Sequence, residues 1–343
     1  MPLRWGIAGC SDITSKRVAP AIRDHPLAAL TAFYSTDAER GRRFAEEFGA
    51  QRAHTDLDAF VADPEIDAVY VASPVDRHLP ETLAAAGAGK HVLCEKPMAL
   101  DAGEGARMVT ACRAAGVQFA VAYYRRYLPQ IRRIKQWLDE AAIGQVVLAR
   151  VNMSSWVDLQ PTDTKYWRTI KARSGGGPLM DLGSHYLDLL CYFLGRPSAV
   201  SAMTDTLART WDVEDSASLL VRFPDPTGAG GSCHAVLTGN WNVHADRRHD
   251  DIEIELHGTA GSIVAGPLAA GHLLLKTDRC EERLVLTPPD NVHMPLVDDV
   301  TRRLLAGEPL AYPGEIGLLA TQVISGAYES SQNGRTVALP TDE

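Results

Sequence analysis

No two of the six cysteines, Cys10, Cys94, Cys112, Cys191, Cys233 and Cys280, form a CxxC pair. None is spaced for zinc, and no metal ligation is expected anywhere in the chain. Cys10, Cys94 and Cys191 lie in apolar runs and are expected to be small buried hydrophobes in a reducing compartment. Positive charge is in deficit: 34 basic residues stand against 43 acidic ones, a formal net charge of −9. A body of that sign does not attract nucleic acid or an anionic membrane surface. The short basic runs Arg125-Arg126 and Arg132-Arg133 are expected to be solvated faces or phosphate contacts. No apolar stretch reaches the roughly 18 residues needed to cross a bilayer, and the first residues show no leader pattern. The expectation is a cytoplasmic protein without nucleic-acid or membrane partners. Internal repeats and long low-complexity segments are lacking too.

What is present is the mixture of a globular protein with a full core, 45% hydrophobic and 22% charged. A length of 343 residues favours two domains. Over the first third, short apolar runs (3–8, 27–35, 68–72, 91–94 and 117–122) alternate with helical patterns. Asp37 caps a helix that Gly49 ends. Asp101 with Glu104 three residues later makes a capping box. This rhythm predicts a doubly wound parallel α/β sheet covered on both faces, and the continuous apolar runs suit strands buried on both sides. After residue 123 the pattern changes. Val147, Ala149, Val151 and Met153 alternate with polar neighbours, as do Ala217, Leu219, Val221 and Phe223, and again Ile252, Ile254 and Leu256. Period-two alternation predicts an open, mainly antiparallel sheet with one wet face. The expected domains are therefore 1–122 and 123–343, the second α+β. Its wet sheet face suits assembly into a homodimer or homotetramer.

The first strand runs into Gly6-Ile7-Ala8-Gly9-Cys10-Ser11-Asp12-Ile13. Backbone amides at such a turn, with the following helix start, bind a pyrophosphate in dinucleotide folds. The usual GxGxxG spacing is broken, with Ser11 and Thr14 at the second and third glycine places, and two glycines also serve many joins for steric reasons alone. At the end of the second strand, Tyr34-Ser35-Thr36-Asp37-Ala38-Glu39-Arg40 has no carboxylate at the tip itself. Ser35, Thr36 and Arg40 are candidates for an adenosine 2′-phosphate, which favours NADP(H) and leaves NAD(H) possible. A solvated Arg40 and an Asp37 that merely caps are the plainer alternative.

Two further patterns carry candidate chemistry. Glu95-Lys96-Pro97 ends a parallel strand, at the sheet edge where ligands bind. Gly175-Gly176-Gly177-Pro178 feeds a helical run in which Asp181 and His185 are four apart on one face. A histidine there suits proton exchange with a substrate hydroxyl. By spacing alone a helix-stabilising contact is the stronger reading of the pair, and a metal reading lacks a third ligand.

Taken together, the opening Gly6–Ile13 turn, the run 67–74, the stretch 88–97 ending in Glu-Lys-Pro, Gly175–His185, Gly258-Thr259-Ala260-Gly261-Ser262 and Gly334-Arg335-Thr336-Val337 resemble the Gfo/Idh/MocA oxidoreductases, the glucose–fructose oxidoreductase and inositol dehydrogenase group. The likeness covers nearly the whole chain. The cofactor half, with Ser11 and the run Ser35 to Gly41, is similar to that of the 1,5-anhydro-D-fructose reductases. The resemblance implies an N-terminal Rossmann domain. It also implies an NADP(H)-dependent enzyme moving hydride to or from a CH–OH or C=O carbon of a sugar or polyol. An alternative is a nicotinamide-assisted glycoside-cleaving enzyme that oxidises a sugar only transiently. The implied catalytic set is Lys96, Asp181 and His185, with His185 the acid/base. The implied cofactor contacts are Gly9, Cys10, Ser11, Asp12, Ile13, Ser35, Thr36, Arg40, Ser73, Pro74, His78, Glu95, Lys96 and Pro97. Substrate contacts are expected from Lys96, Tyr124, Arg126, Trp156, Trp167, Arg168, Asp181 and His185. The polar cluster His244, Arg247, Arg248 and His249 is expected to be a solvated loop.

Overall fold

A computed structural model describes residues 1–224, 231–244 and 252–341. Arg247, Arg248 and His249 lie outside the described residues. The chain packs as two compact units. One comprises Met1–Tyr124 with Pro289–Leu318, the other Arg125–Pro288 with Leu319–Glu343. Among the described residues no helix is long and apolar enough to cross a membrane.

The first unit holds a six-stranded sheet of β1 (Leu3–Ala8), β2 (Ala28–Tyr34), β3 (Arg52–His54), β4 (Ala68–Val71), β5 (His91–Cys94) and β6 (Phe119–Val121). Their order is β3-β2-β1-β4-β5-β6, and every pairing is parallel. All four residues of β4 are buried, as helices on both faces require. Sequence order reverses between β1 and β4, so the carboxyl ends of these strands form a topological switch point, the usual ligand position in such sheets. Local chemistry sets the helix starts. Asp37 Oδ1 accepts from the Arg40 amide at 3.0 Å, and Gly49 ends that helix at φ 74°. Asp101 Oδ1 accepts from the Glu104 amide at 2.8 Å. Glu104 reaches back one residue further than expected, to the Leu100 amide at 3.1 Å.

The expected single change of domain near residue 123 does not account for residues 289–318, which pack with the first unit. Trp5 Nε1 donates to Thr301 Oγ1 at 3.3 Å. Gln118 exchanges hydrogen bonds with the Leu310 amide and the Glu308 carbonyl, at 2.7 and 2.8 Å. These bonds tie the late segment to β1 and to the entry of β6.

The second unit holds a nine-stranded sheet. Its strands are β7 (Val146–Ser154), β8 (Ala199–Asp205), β9 (Ser216–Pro224), β10 (Ser232–Asn240), β11 (Glu253–Gly258), β12 (Gly261–Ala265), β13 (His272–Thr277), β14 (Glu281–Val285) and β15 (Val337–Ala338). The order is β14-β13-β12-β11-β7-β10-β9-β8-β15; β7 and β10 are parallel and their neighbours antiparallel. The alternation read from sequence is realised in β9 and over Ala149, Val151 and Met153 of β7, whereas Val147, expected inward, is 43% exposed. Ala217, Leu219, Val221 and Phe223 are buried while Ser218, Leu220 and Arg222 are exposed. The helix Ser184–Leu194 packs on β7, and the helix Pro129–Asp139 packs against that helix.

Candidate active site

The turn after β1 is locked by its own hydroxyls. Thr14 Oγ1 donates to the Gly9 carbonyl at 2.8 Å, and Ser11 Oγ donates to the Ala72 carbonyl at 2.9 Å. Serine and threonine at the second and third glycine places thus hold the turn against β4. Gly9 has φ 105°, and a Cβ on it would lie 2.6 Å from the Ser73 amide nitrogen. Only bare backbone fits there, which makes Gly9 the glycine of the tight turn that opens a dinucleotide site. A tight turn locked by hydroxyls and running into a helix start fits a nicotinamide dinucleotide, whose pyrophosphate the Gly9–Ile13 amides would hold. The helix that follows opens with a π-helical stretch, Thr14–Val18.

At the tip of β2, Ser35 is buried and accepts from the Asp37 amide at 3.2 Å. Asp37 is committed to capping, and it also faces the Arg40 guanidinium at 3.7 Å. Arg40 is half exposed and Thr36 exposed. Cys10 is half-buried rather than buried. Burial pushes its thiol up to about 11, against the pull of the Ser35 hydroxyl, Arg40 and Arg43. Cys94 and Cys191 are buried as expected, and all six cysteines are free.

Lys96 sits at the end of β5, partly exposed, before a cis Lys96–Pro97 bond. Two of the expected cofactor contacts brace this turn from beneath. Glu95 is 5% exposed; one oxygen accepts from the Lys96 amide at 3.1 Å, the other from the Tyr70 hydroxyl at 2.8 Å. His78 is 1% exposed. Its two ring nitrogens face the carbonyl oxygens of Pro97 and Ser73, at 3.0 and 2.9 Å. Both residues are spent on the protein and are corrected from ligand contacts to braces. Ser73 Oγ donates to Glu81 at 2.6 Å. Burial pushes the Glu81 carboxyl up to about 7, partly offset by the Ser73 hydroxyl and Arg77.

In the second unit, the glycine run is shaped by a residue that sequence reading missed. Glu214 accepts from the amides of Gly177 and Leu179 at 2.9 and 3.2 Å and from the Tyr328 hydroxyl at 3.0 Å. A Cβ on Gly177 would lie 1.9 Å from the Glu214 carbonyl oxygen, and one on Gly176 would lie 1.8 Å from the Tyr328 hydroxyl. No local pattern marks Glu214, because its partners lie 35 or more residues away. The run then enters a π-helical turn, Leu179–Gly183, and the helix Ser184–Leu194. Such turns recur at functional positions. Asp181 pairs with Arg168 at 3.1 Å, and His185, one turn on, is 4% exposed. Trp167 is partly exposed, with the Arg168 guanidinium over its ring.

One expected substrate contact is corrected, and a second has protein neighbours on its ring. Arg126 is 3% exposed and bonds both oxygens of the equally buried Asp188, at 2.6 and 2.8 Å. It is a core ion pair. Trp156 is 46% exposed, but His244 stacks 3.7 Å from its centroid and the Arg209 guanidinium lies at 4.2 Å. The ring thus already carries an imidazole and a guanidinium from its own unit. His244 is exposed, as expected of a solvated position, and stacks on this ring.

Comparison with known proteins agrees with this architecture. Residues 3–123 match the model of an oxidoreductase family with an NAD-binding Rossmann fold, and residues 131–264 match the GFO/IDH/MocA C-terminal domain. A 1,5-anhydro-D-fructose reductase from Ensifer adhaerens is 30% identical over 98% of this chain and 99% of its own. The D-xylose 1-dehydrogenase (NADP(+)) 2 of Haloferax volcanii is 29% identical over 98% of this chain and all of its own. Among solved structures, a levoglucosan dehydrogenase in complex with NADH and levoglucosan superposes with a TM-score of 0.88 at 24% identity. That match covers 99% of this chain and 100% of that one. Fold and motifs together define an oxidoreductase with a dinucleotide-binding domain. The chain belongs to the Gfo/Idh/MocA family.

Proposed function

We propose that the protein is an NADP(H)-dependent oxidoreductase acting on a secondary hydroxyl, or the corresponding carbonyl, of a sugar or anhydrosugar. The observation that carries the reading is the braced Lys96 turn at the carboxyl edge of the dinucleotide sheet. When bound, the nicotinamide supplies or accepts the hydride. The Lys96 ammonium steadies negative charge growing on the substrate oxygen. His185 takes the hydroxyl proton in oxidation and returns it in reduction. Asp181, fixed by Arg168, binds a neighbouring hydroxyl. Tyr124 and Trp167 offer aromatic surface to the ring. Cofactor contacts fall to the Gly9–Ile13 turn, Ser73, Pro74 and Pro97. Ser35, Thr36 and Arg40 take the 2′-phosphate, a preference supported by the commitment of Asp37 to its helix cap.

The test is a panel of 1,5-anhydro-D-fructose, D-xylose, levoglucosan and inositols, run with NADPH, NADP, NADH and NAD and followed at the nicotinamide absorbance. Turnover of added cofactor with at least one panel member is expected. Lys96→Ala and His185→Ala should each lower kcat by about 10²- to 10⁴-fold while nucleotide still binds. Near-normal turnover in either variant would remove that residue from its role.

A further inference from the structure

His293 is a buried titratable group that the proposed reaction does not use. It stands at the start of the helix Met294–Ala306, 198 residues from the glutamate it meets. Its side chain is 2% exposed. Nε2 donates to Glu95 Oε1 at 3.3 Å, and the ring stacks on Tyr124 with centroids 4.5 Å apart. That same Glu95 oxygen accepts from Tyr70, and the other from the Lys96 amide. A carboxylate so deeply buried is costly to keep ionised without donors around it. Burial pushes Glu95 up, but the His293 hydrogen bond and charge, the Lys96 charge and the Tyr70 hydroxyl overcome it and hold the group below its ordinary range. Tyr70 is itself pushed well up by burial and by Glu95, and so remains a neutral donor.

The turn leading to His293 is fastened to the other side of the nucleotide region. Asn291 Oδ1 accepts from the His293 amide at 3.0 Å, and Asn291 Nδ2 donates to the Arg17 carbonyl at 2.8 Å. Arg17 Nη1 returns a bond to the Asp290 carbonyl at 2.6 Å. One short turn therefore joins the helix after the glycine turn to the strand tip that carries Lys96.

We propose that His293 is a positioning residue for Lys96: with Tyr70 it holds Glu95 charged and oriented, and Glu95 fixes the backbone of the Lys96 turn. The proposal rests on the reading that Lys96 serves the substrate. It gives the packing of residues 289–318 into the first unit a functional consequence. Loss of the imidazole donor frees the Lys96 amide and misplaces the ammonium, while the nucleotide turn, locked by Ser11 and Thr14, stays formed.

The experiment compares His293→Leu, His293→Gln and Tyr70→Phe in the full chain. Amide hydrogen exchange is read on peptides spanning 93–100, and kcat on the best panel substrate at saturating NADPH. His293→Leu should speed exchange at 95–98 by at least about tenfold and lower kcat by at least about tenfold. NADPH affinity should change by less than about threefold. His293→Gln, which restores a donor, should recover most of both losses; Tyr70→Phe, which removes the other donor, should repeat them in part. In a Lys96→Ala background, adding His293→Leu should change residual turnover by less than about twofold. Unchanged exchange and kcat in a folded His293→Leu protein would overturn the proposal. So would a full further loss in the Lys96→Ala background, or equal loss in the Leu and Gln variants. Should His293→Leu fail to fold, unaltered exchange and turnover in Tyr70→Phe would overturn it as well. If instead Lys96→Ala keeps normal turnover, the Lys96 reading itself has failed, and exchange at 95–98 still reports the His293–Glu95 brace.

Discussion

Arg126 offers the sharpest contrast between a residue that touches substrate and one that holds the fold. Its guanidinium makes a two-pronged bond to Asp188, and the side chains are 3% and 1% exposed. Burial pushes the Asp188 carboxyl up and Arg126 pulls it back, so the carboxylate depends on this one cation. Removing one partner strands a charge out of reach of water, which costs about 3–5 kcal/mol. For a domain of this size each kcal/mol lowers Tm by about 2–4 °C, so Arg126→Met or Asp188→Leu should drop the midpoint by about 6–20 °C. The double replacement, which removes both charges and keeps the volume apolar, should recover most of that loss. The assay is urea and thermal unfolding of the four proteins of the cycle, with substrate KM measured in parallel. An Arg126→Met protein of unchanged stability and raised KM would refute the argument and return Arg126 to the substrate.

Glu81 should make stability pH-dependent. Its carboxyl titrates near 7 when folded, against an ordinary 4.5, so the folded state holds the proton more tightly. The stability it contributes is complete below pH 4.5 and is lost as pH rises through 7. The urea midpoint should fall between about pH 5 and pH 8, and Glu81→Gln should flatten that slope; a variant with the parent's slope would assign it elsewhere. Arg40→Ala removes a charge-assisted phosphate contact of about 1.5–3 kcal/mol, weakening NADPH by roughly 10- to 100-fold with little effect on NADH. Equal effects on the two would refute the 2′-phosphate role. On the open sheet face, Leu220 and Val236 are cross-strand neighbours, 46% and 37% exposed, the place where the expected assembly of two copies would be felt. Leu220→Glu should then lower the sedimenting mass at micromolar concentration, and an unchanged mass would rule this face out.

The parallel sheet was legible because buried strands leave continuous apolar runs, such as residues 68–72, and because Asp37 and Asp101 announce helix starts through short-range bonds. The open sheet was legible through the alternation in β7 and β9. What escaped are contacts with no local signature. The return of residues 289–318 rests on bonds such as Trp5 to Thr301, 296 positions apart. Arg126 reads as a surface arginine until Asp188, 62 residues on, is placed beside it. The same holds for Glu214 under the glycine run and for His293 behind Glu95. Glu95 was found as a motif member and His78 as an implied cofactor contact, but only the structure shows their polar atoms turned inward.

The most direct measurement of the central claim is isotope transfer. NADPH deuterated on either face of C4 would be incubated with the panel sugars and the products examined by mass spectrometry. Direct hydride transfer predicts that one of the two cofactors delivers a single deuterium to the carbon that becomes CH–OH, with stoichiometric loss of NADPH. A sugar product that carries no deuterium while NADPH is unconsumed would contradict it and would point instead to transient oxidation with cleavage.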